Sequence, residues 1–201
     1  DSNTISYNGT TNGSVIIGKG NTAAYDVSVI VGKTCSARSG GVSLGYNCSQ
    51  TGGGVTVGNT ATCGTGGTSI GTSTSAGGSN STLVGNTLST TNTGVVGVGY
   101  NHSISGNYAI TVGYQPQAGQ NGIALGQVAT ANQIFSMAAG YYTKTDYIGE
   151  KAWSSGGFTT PAVTGTSNVK YSVVQLLTEV SNTNPVVMGI VGGSSSTTTN
   201  K

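Results

Sequence analysis

Residues 28–58 read SVIVGKTCSARSGGVSLGYNCSQTGGGVTVG, and this stretch decides the fold. It contains three copies of one unit, an aliphatic-x-aliphatic-Gly or closely similar segment that ends at Gly32, Gly45 and Gly58. The unit recurs along the chain, and its glycines are always 13 or 14 residues apart. The ten glycines are Gly18, Gly32, Gly45, Gly58, Gly71, Gly85, Gly99, Gly113, Gly126 and Gly140. The chain is therefore predicted to be a repeat protein.

The residues one and three positions before each glycine are usually aliphatic, as Val29 and Val31 are before Gly32. Because side chains alternate between the two faces of a strand, this pattern predicts a short strand with these pairs on a buried face in every repeat. The period is too short for helical repeats or propeller blades, which need about 20 to 50 residues per unit. We therefore predict an all-β protein, a β-solenoid of ten coils.

The composition predicts an oligomer. Each coil would bury about two aliphatic side chains, worth about 1.5 to 3 kcal/mol apiece, whereas ordering the backbone costs about 1 kcal/mol or more per residue. A homotrimer whose subunits share a central apolar seam would bury more surface. Only 6% of the residues are charged and the net charge is +2, with the basic residues scattered along the chain. This distribution excludes a nucleic-acid partner.

Four segments are predicted along the chain. Residues 1–13 are polar and form an arm or a partial coil, and residues 14–145 form the solenoid. Residues 146–191 form a C-terminal β cap, because the last coil would otherwise expose an unpaired strand edge. Residues 192–201 (GGSSSTTTNK) are a flexible tail. The sequence contains no transmembrane run, so membrane insertion is not expected.

Two parts of the sequence resemble known families. Residues 28–36 (SVIVGKTCS) and 54–62 (GVTVGNTAT) resemble the head repeat of YadA-type trimeric autotransporter adhesins, which also occurs in phage fibres. This resemblance covers residues 14–145 and implies a left-handed trimeric β-roll. Residues 144–158 are similar to a module that follows such repeats in tailed-phage structural proteins, although the Gly-Asp-Ala-Gln turn usual after it is replaced by Thr-Thr-Pro-Ala-Val.

The resemblance implies a virion protein of a tailed phage, a trimeric fibre, spike or capsid decoration that attaches to the host surface. Its partners would be its own copies, other virion proteins and a host surface glycan or protein, and its location would be the virion. One alternative is the head of a bacterial adhesin at the cell surface, which would also have a coiled-coil stalk and a membrane barrel. The other alternative is a purely structural rod that stabilises a capsid.

No catalytic, cofactor-binding or metal-binding site is predicted. The chain has five acidic residues, too few for paired carboxylates on neighbouring coils. His102 is the sole histidine and is expected to be a corner residue rather than a metal ligand or a base. Cys35 and Cys48 both lie three positions after their glycine and are expected to be small buried corner residues, with a disulfide as the alternative.

The position directly after each glycine is the candidate binding surface. If it points outward, it forms one ladder along the solenoid, in which tyrosine rings could stack on sugar rings while amides bind hydroxyl groups. The alternative is that the tyrosines cover neighbouring coils. The candidate residues are Tyr46, Asn59, Asn86, Tyr100, Tyr114 and Tyr141.

Overall fold

A computed structural model describes residues 2–6, 13–24, 27–38, 40–154 and 171–173 of the chain. These residues form strands and turns without any helix, and the strands stack as a β-solenoid of about ten turns. The predicted all-β solenoid is therefore confirmed. In this part of the chain no helix is present that could cross a membrane.

The described residues contain twenty strands, most of them two to five residues long. They are β1 (Thr4–Ser6), β2 (Val15–Lys19), β3 (Thr22–Ala24), β4 (Val29–Lys33), β5 (Ser36–Ala37), β6 (Val42–Tyr46), β7 (Ser49–Gln50), β8 (Val55–Asn59), β9 (Thr62–Cys63), β10 (Thr68–Ala76), β11 (Thr82–Thr90), β12 (Val96–Tyr100), β13 (Ser103–Ile104), β14 (Ile110–Tyr114), β15 (Gln117–Ala118), β16 (Ile123–Gln127), β17 (Thr130–Ala131), β18 (Met137–Gly140), β19 (Lys151–Ser154) and β20 (Tyr171–Val173).

Most coils contribute a longer and a shorter strand to two parallel stacks, and in β10 and β11 the two segments are joined in one nine-residue strand. The longer strands run in the order β2, β4, β6, β8, β10, β11, β12, β14, β16, β18 and β19, and we call this stack the main sheet. The shorter strands β3, β5, β7 and β9 stack in the same way, as do β13, β15 and β17. Strands in a sheet lie about 4.8 Å apart, so the main sheet is about 48 Å tall.

The aliphatic pairs face outward, contrary to the sequence prediction. In β4, Ile30, which lies between Val29 and Val31, is fully buried inside the coil, while Val31 is 39% exposed. In β2, Ile17 is 58% exposed. A period-two pattern identifies two faces of a strand but not which one the chain folds around. The interior is narrow and mostly takes small side chains, so the larger aliphatic residues lie on the outer face of the main sheet.

Large interior residues are matched by glycines in the same coil or in the next one. Gln50 is buried, and a Cβ atom on Gly41 would lie 1.5 Å from its Nε2 atom. The Gln50 amide donates to the carbonyl of Arg38 and accepts from the N–H of Gly54. A Cβ atom on Gly97 would lie 2.7 Å from Cδ2 of Leu83, the residue opposite it on the preceding strand. The core is therefore packed by matching sizes both within a coil and between neighbouring coils.

In eight of the ten repeats the residue four positions after the glycine is Ser or Thr. These residues lie on the outer side of the strands and bond to each other between coils: the hydroxyl groups of Ser36 and Ser49 are 2.9 Å apart, and Thr62 donates to Ser75 over 2.9 Å. Parallel strands in register place equal positions side by side, and this brings the hydroxyl groups of successive coils within hydrogen-bond distance.

Both ends of the solenoid carry additional pairing. At the N-terminal end, β1 pairs in parallel with β3, so residues 4–6 add part of a coil. At the other end, β19 continues the main sheet with Ser154 opposite Gly140, and β20 pairs with β19 in the antiparallel direction. Most of the predicted cap at 146–191 and all of the predicted tail at 192–201 lie outside the described residues.

Candidate functional site: a ladder beside an apolar sheet face

The residues that follow the glycines form one exposed column along the main sheet, which we call the ladder. From Lys19 to Gln127 they are paired in register on successive strands. All ten members are exposed. They are Lys19, Lys33, Tyr46, Asn59, Thr72, Asn86, Tyr100, Tyr114, Gln127 and Tyr141. The structure therefore brings five of the six candidates into one paired column, and Tyr141 follows the last repeat glycine.

Backbone hydrogen bonds fix the spacing of the ladder. The residue after each ladder member donates its N–H to the ladder carbonyl of the preceding coil, as Thr60 does to Tyr46 over 2.9 Å and Gln115 does to Tyr100 over 2.8 Å. These donors have left-handed backbone conformations, with φ of 56° at Thr60 and 53° at Gln115. The chain therefore turns directly behind the ladder, and the ladder side chains are held one strand spacing apart.

The tyrosine rings largely cover each other or neighbouring groups. Tyr100 and Tyr114 stack with ring centroids 5.2 Å apart and an angle of 11° between the planes. The ammonium group of Lys33 lies 5.6 Å from the ring centroid of Tyr46. Tyr141 contacts Tyr142 edge to face at 4.5 Å. The facing surfaces of the stacked pair cannot receive a sugar ring, because each ring covers the other.

The two asparagines of the ladder are oriented by the threonines that follow them. Thr60 donates its hydroxyl to the Oδ1 atom of Asn59 over 2.9 Å, and Thr87 donates to that of Asn86 over 2.6 Å. Because each Oδ1 atom already accepts one bond, the NH₂ group with its two donors is the larger hydrogen-bonding capacity left for a ligand. The sequence shows the pair Asn-Thr after the glycine, but only the geometry of the corner shows that the threonine orients the asparagine amide.

Two columns of aliphatic residues lie beside the ladder on the outer face of the main sheet. They extend along most of the solenoid and are partly exposed, with exposed fractions of 38% at Val96 and 39% at Val98. The same positions in the next strand are Ile110 and Val112. Contiguous apolar surface of this kind marks an interaction site. The sequence pattern identifies these residues, but it predicted that they lie on the buried face of the strand.

The sole histidine lies inside a corner, as the sequence predicts. His102 is 8% exposed, with Nδ1 2.7 Å from the hydroxyl of Thr111 and Nε2 3.1 Å from the carbonyl of Gly113. A carbonyl only accepts, so Nε2 carries the proton and Nδ1 accepts from Thr111. Burial lowers the pKa of His102 below its ordinary value, because the charged form loses hydration.

The three cysteines are buried and free. Cys35 donates to the carbonyl of Gly45 and Cys48 to that of Gly58, each one coil further along. Burial raises the pKa of Cys48 and raises that of Cys63 to about 11. The three thiols fill the interior, as expected, and the raised pKa values keep those of Cys48 and Cys63 in the unreactive protonated form.

The acidic residues Asp146 and Glu150 take part in the turn before β19. Glu150 is buried and accepts the N–H groups of Asp146 and Tyr147 at 2.6 and 3.1 Å. The carboxylate of Asp146 lies 3.1 Å from the ammonium group of Lys144. No group of three or more metal-ligating side chains occurs within the described ranges.

The fold and the ladder together define a β-solenoid with an apolar sheet face and an exposed polar column. Comparison with models of known protein families finds no match, and no curated protein compared with this chain matches it either.

Proposed function

We propose that this protein is a non-enzymatic structural protein of a tailed-phage virion, a homotrimeric fibre, spike or capsid decoration that attaches the particle to the host surface. Attachment would be non-covalent and would rely on many weak contacts multiplied by symmetry and copy number. The resemblance of residues 144–158 to a phage module favours the virion over the bacterial surface.

The observation that carries the proposal is the apolar outer face of the main sheet. Its two aliphatic columns run along most of the main sheet, with Thr68 and Thr82 as polar positions in one of them, so another copy of the same solenoid presents a matching surface. In a trimer, each copy would pack its apolar face against the other two copies around one axis. No copy would then leave this face exposed to solvent. A rod of this kind suits a protein that projects from a particle.

The non-enzymatic assignment is supported by what the polar residues do. Glu150 and Asp146, the only acidic residues close together in the sequence, bond to turn amides and to Lys144. Both ring nitrogens of His102 are engaged inside the corner. These groups have structural partners, and this supports the proposal of a non-enzymatic role.

Sedimentation equilibrium of the native protein, together with negative-stain imaging, tests the proposal. We expect a mass near three times 19.8 kDa and a rod at least as long as the main sheet. Immunogold labelling of particles and of cells then tests the location. A monomer in solution would contradict the trimer, and label on the bacterial envelope would favour the adhesin alternative.

The stacked pair of Tyr100 and Tyr114 favours a second candidate, a purely structural rod. Rings that cover each other stabilise neighbouring coils without any ligand. Replacing both with serine separates the two functions. Unchanged adsorption of particles to cells, with a lowered melting temperature, would favour the structural rod.

A further inference from the structure

We propose that the ladder binds an acidic linear polysaccharide that lies parallel to the solenoid axis. This inference rests on the proposed surface-contact function and names the class of ligand. It is carried by the hydrogen-bonding character of the ladder side chains, by their spacing and by the orientation of the tyrosine rings.

The ladder presents hydrogen-bond donors. Lys33 contributes an ammonium group, and Asn59 and Asn86 contribute NH₂ groups because their oxygens accept from Thr60 and Thr87. None of the ten ladder positions carries a carboxylate. Such a column matches a ligand rich in acceptors and negative charge, because charge-assisted hydrogen bonds to carboxylate or sulfate are stronger than neutral ones.

The donors are repeated along one line. Lys33, Tyr46, Asn59, Thr72 and Asn86 occupy consecutive strands in register, so the distance from the first to the last is about 19 Å at about 4.8 Å per strand. A compact ligand would reach one or two of them. A chain with regularly repeated acidic groups would reach all of them, and several weak contacts would then add up on one molecule.

The tyrosines favour hydrogen bonding over ring stacking. Tyr100 and Tyr114 cover each other's facing surfaces, and Lys33 lies over the ring of Tyr46. Stacking on a pyranose ring, the usual basis for binding neutral sugars, is therefore restricted at these positions. The phenol groups at the exposed ring edges extend the row of hydrogen-bonding groups toward the C-terminal coils.

Binding is tested with the full-length protein in its native oligomeric state. The probes are dextran sulfate, unmodified dextran of the same chain length and polygalacturonate, measured by biolayer interferometry at 50 and 200 mM salt. We expect both acidic polymers to bind, binding to weaken with salt, and dextran to bind at least tenfold more weakly.

The test variant combines Lys33→Gln, Asn59→Ala and Asn86→Ala, and we expect it to bind the acidic polymers at least tenfold more weakly. The matched control combines Lys144→Gln and Asn132→Ala, which change an exposed lysine and an exposed asparagine outside the ladder. Thermal melting followed by circular dichroism verifies that both variants keep the wild-type fold, and a ladder variant that melts early is replaced by Lys33→Gln alone.

Failure to bind either acidic polymer would overturn the inference, as would equal loss in the control variant. Equal affinity for dextran would overturn the claim that the ligand is acidic. Equal affinity for single-stranded poly(dT) would overturn the claim that the ligand is a polysaccharide, because the ladder would then bind polyanions in general. These results leave the proposed function standing as long as the trimeric rod is observed. A monomeric protein contradicts the proposed function, whatever the polymers do.

Discussion

At the residue scale, the repeat glycines are required by the contact between coils. All ten have φ between 118° and 155°, a backbone conformation that residues other than glycine rarely adopt. A Cβ atom on Gly58 would lie 1.9 Å from the carbonyl oxygen of Gly71 on the next strand. Glycine is therefore required both by the backbone conformation and because the neighbouring coil leaves no room for a side chain.

Gly58→Ala is therefore expected to be strongly destabilising. The combination of backbone strain and a clash with rigid backbone should lower the free energy of unfolding by more than about 3 kcal/mol. Gly20→Ala is the control, because Gly20 has φ of 64° and no atom within 4 Å of an added Cβ. Its expected cost is about 1 kcal/mol. Urea denaturation measures both, and equal costs would contradict the contact argument.

His102 should make stability depend on pH. Its pKa in the folded state lies below its ordinary value of 6.5, so the unfolded chain binds more protons below pH 6.5. The free energy of unfolding should therefore fall as the pH drops below 6.5, by at most about 1.4 kcal/mol per pH unit, until the folded-state pKa is reached. Thermal melts between pH 7.5 and 4.5 measure this dependence.

His102→Gln is the matched variant, since glutamine can donate and accept without titrating in this range. We expect the variant to lose the part of the pH dependence that begins near pH 6.5. An unchanged profile would show that other groups cause the acid sensitivity.

At the element scale, the sizes of interior residues are balanced within a coil and between neighbouring coils. Gln50 fits because Gly41 leaves space for its amide, whereas Leu83 fits because Gly97 lies opposite it on the next strand. A large residue can therefore enter the interior where the same coil or the next one has a glycine beside it.

The turn before β19 offers a test at this scale. Glu150→Gln should weaken the bonds to the N–H groups of Asp146 and Tyr147, because a neutral amide oxygen is a weaker acceptor than a carboxylate. We expect a loss of about 1 to 3 kcal/mol and faster hydrogen exchange at residues 146–154. Asp146→Asn, which removes the charge of the exposed carboxylate paired with Lys144, should change stability by less than about 1 kcal/mol. Similar exchange in both variants would contradict this role of Glu150.

At the scale of the whole molecule, the apolar sheet face should control assembly. Val98→Lys together with Val112→Lys places two charges on this face, while both side chains remain outside the coil interior. We expect the sedimentation mass to fall toward 19.8 kDa with the circular dichroism spectrum unchanged. Ser89→Lys, an exposed change on the shorter-strand side, is the control. An intact oligomer in the double variant would exclude this face as the seam.

Much of the fold could be predicted from the sequence, because each coil is formed by 13 or 14 consecutive residues. The spacing of the glycines predicted the number of coils, and the alternation around residues such as Ile30 predicted the strands. The positions of Cys35, Cys48 and His102 inside corners followed from their distance to the glycine. The continuation of the main sheet into β19 was not predicted, because Ser154 takes the place of the repeat glycine there.

The sequence by itself determined the repeat, the strand register and the membership of the ladder, since a fixed period places equal positions of successive coils side by side. Only the tertiary structure decided which strand face is interior. The direction in which the chain turns after each glycine settles this, and it places Ile30 inside and Val31 outside. It also decided that Thr60 and Thr87 orient the ladder amides, because that contact depends on a left-handed corner conformation.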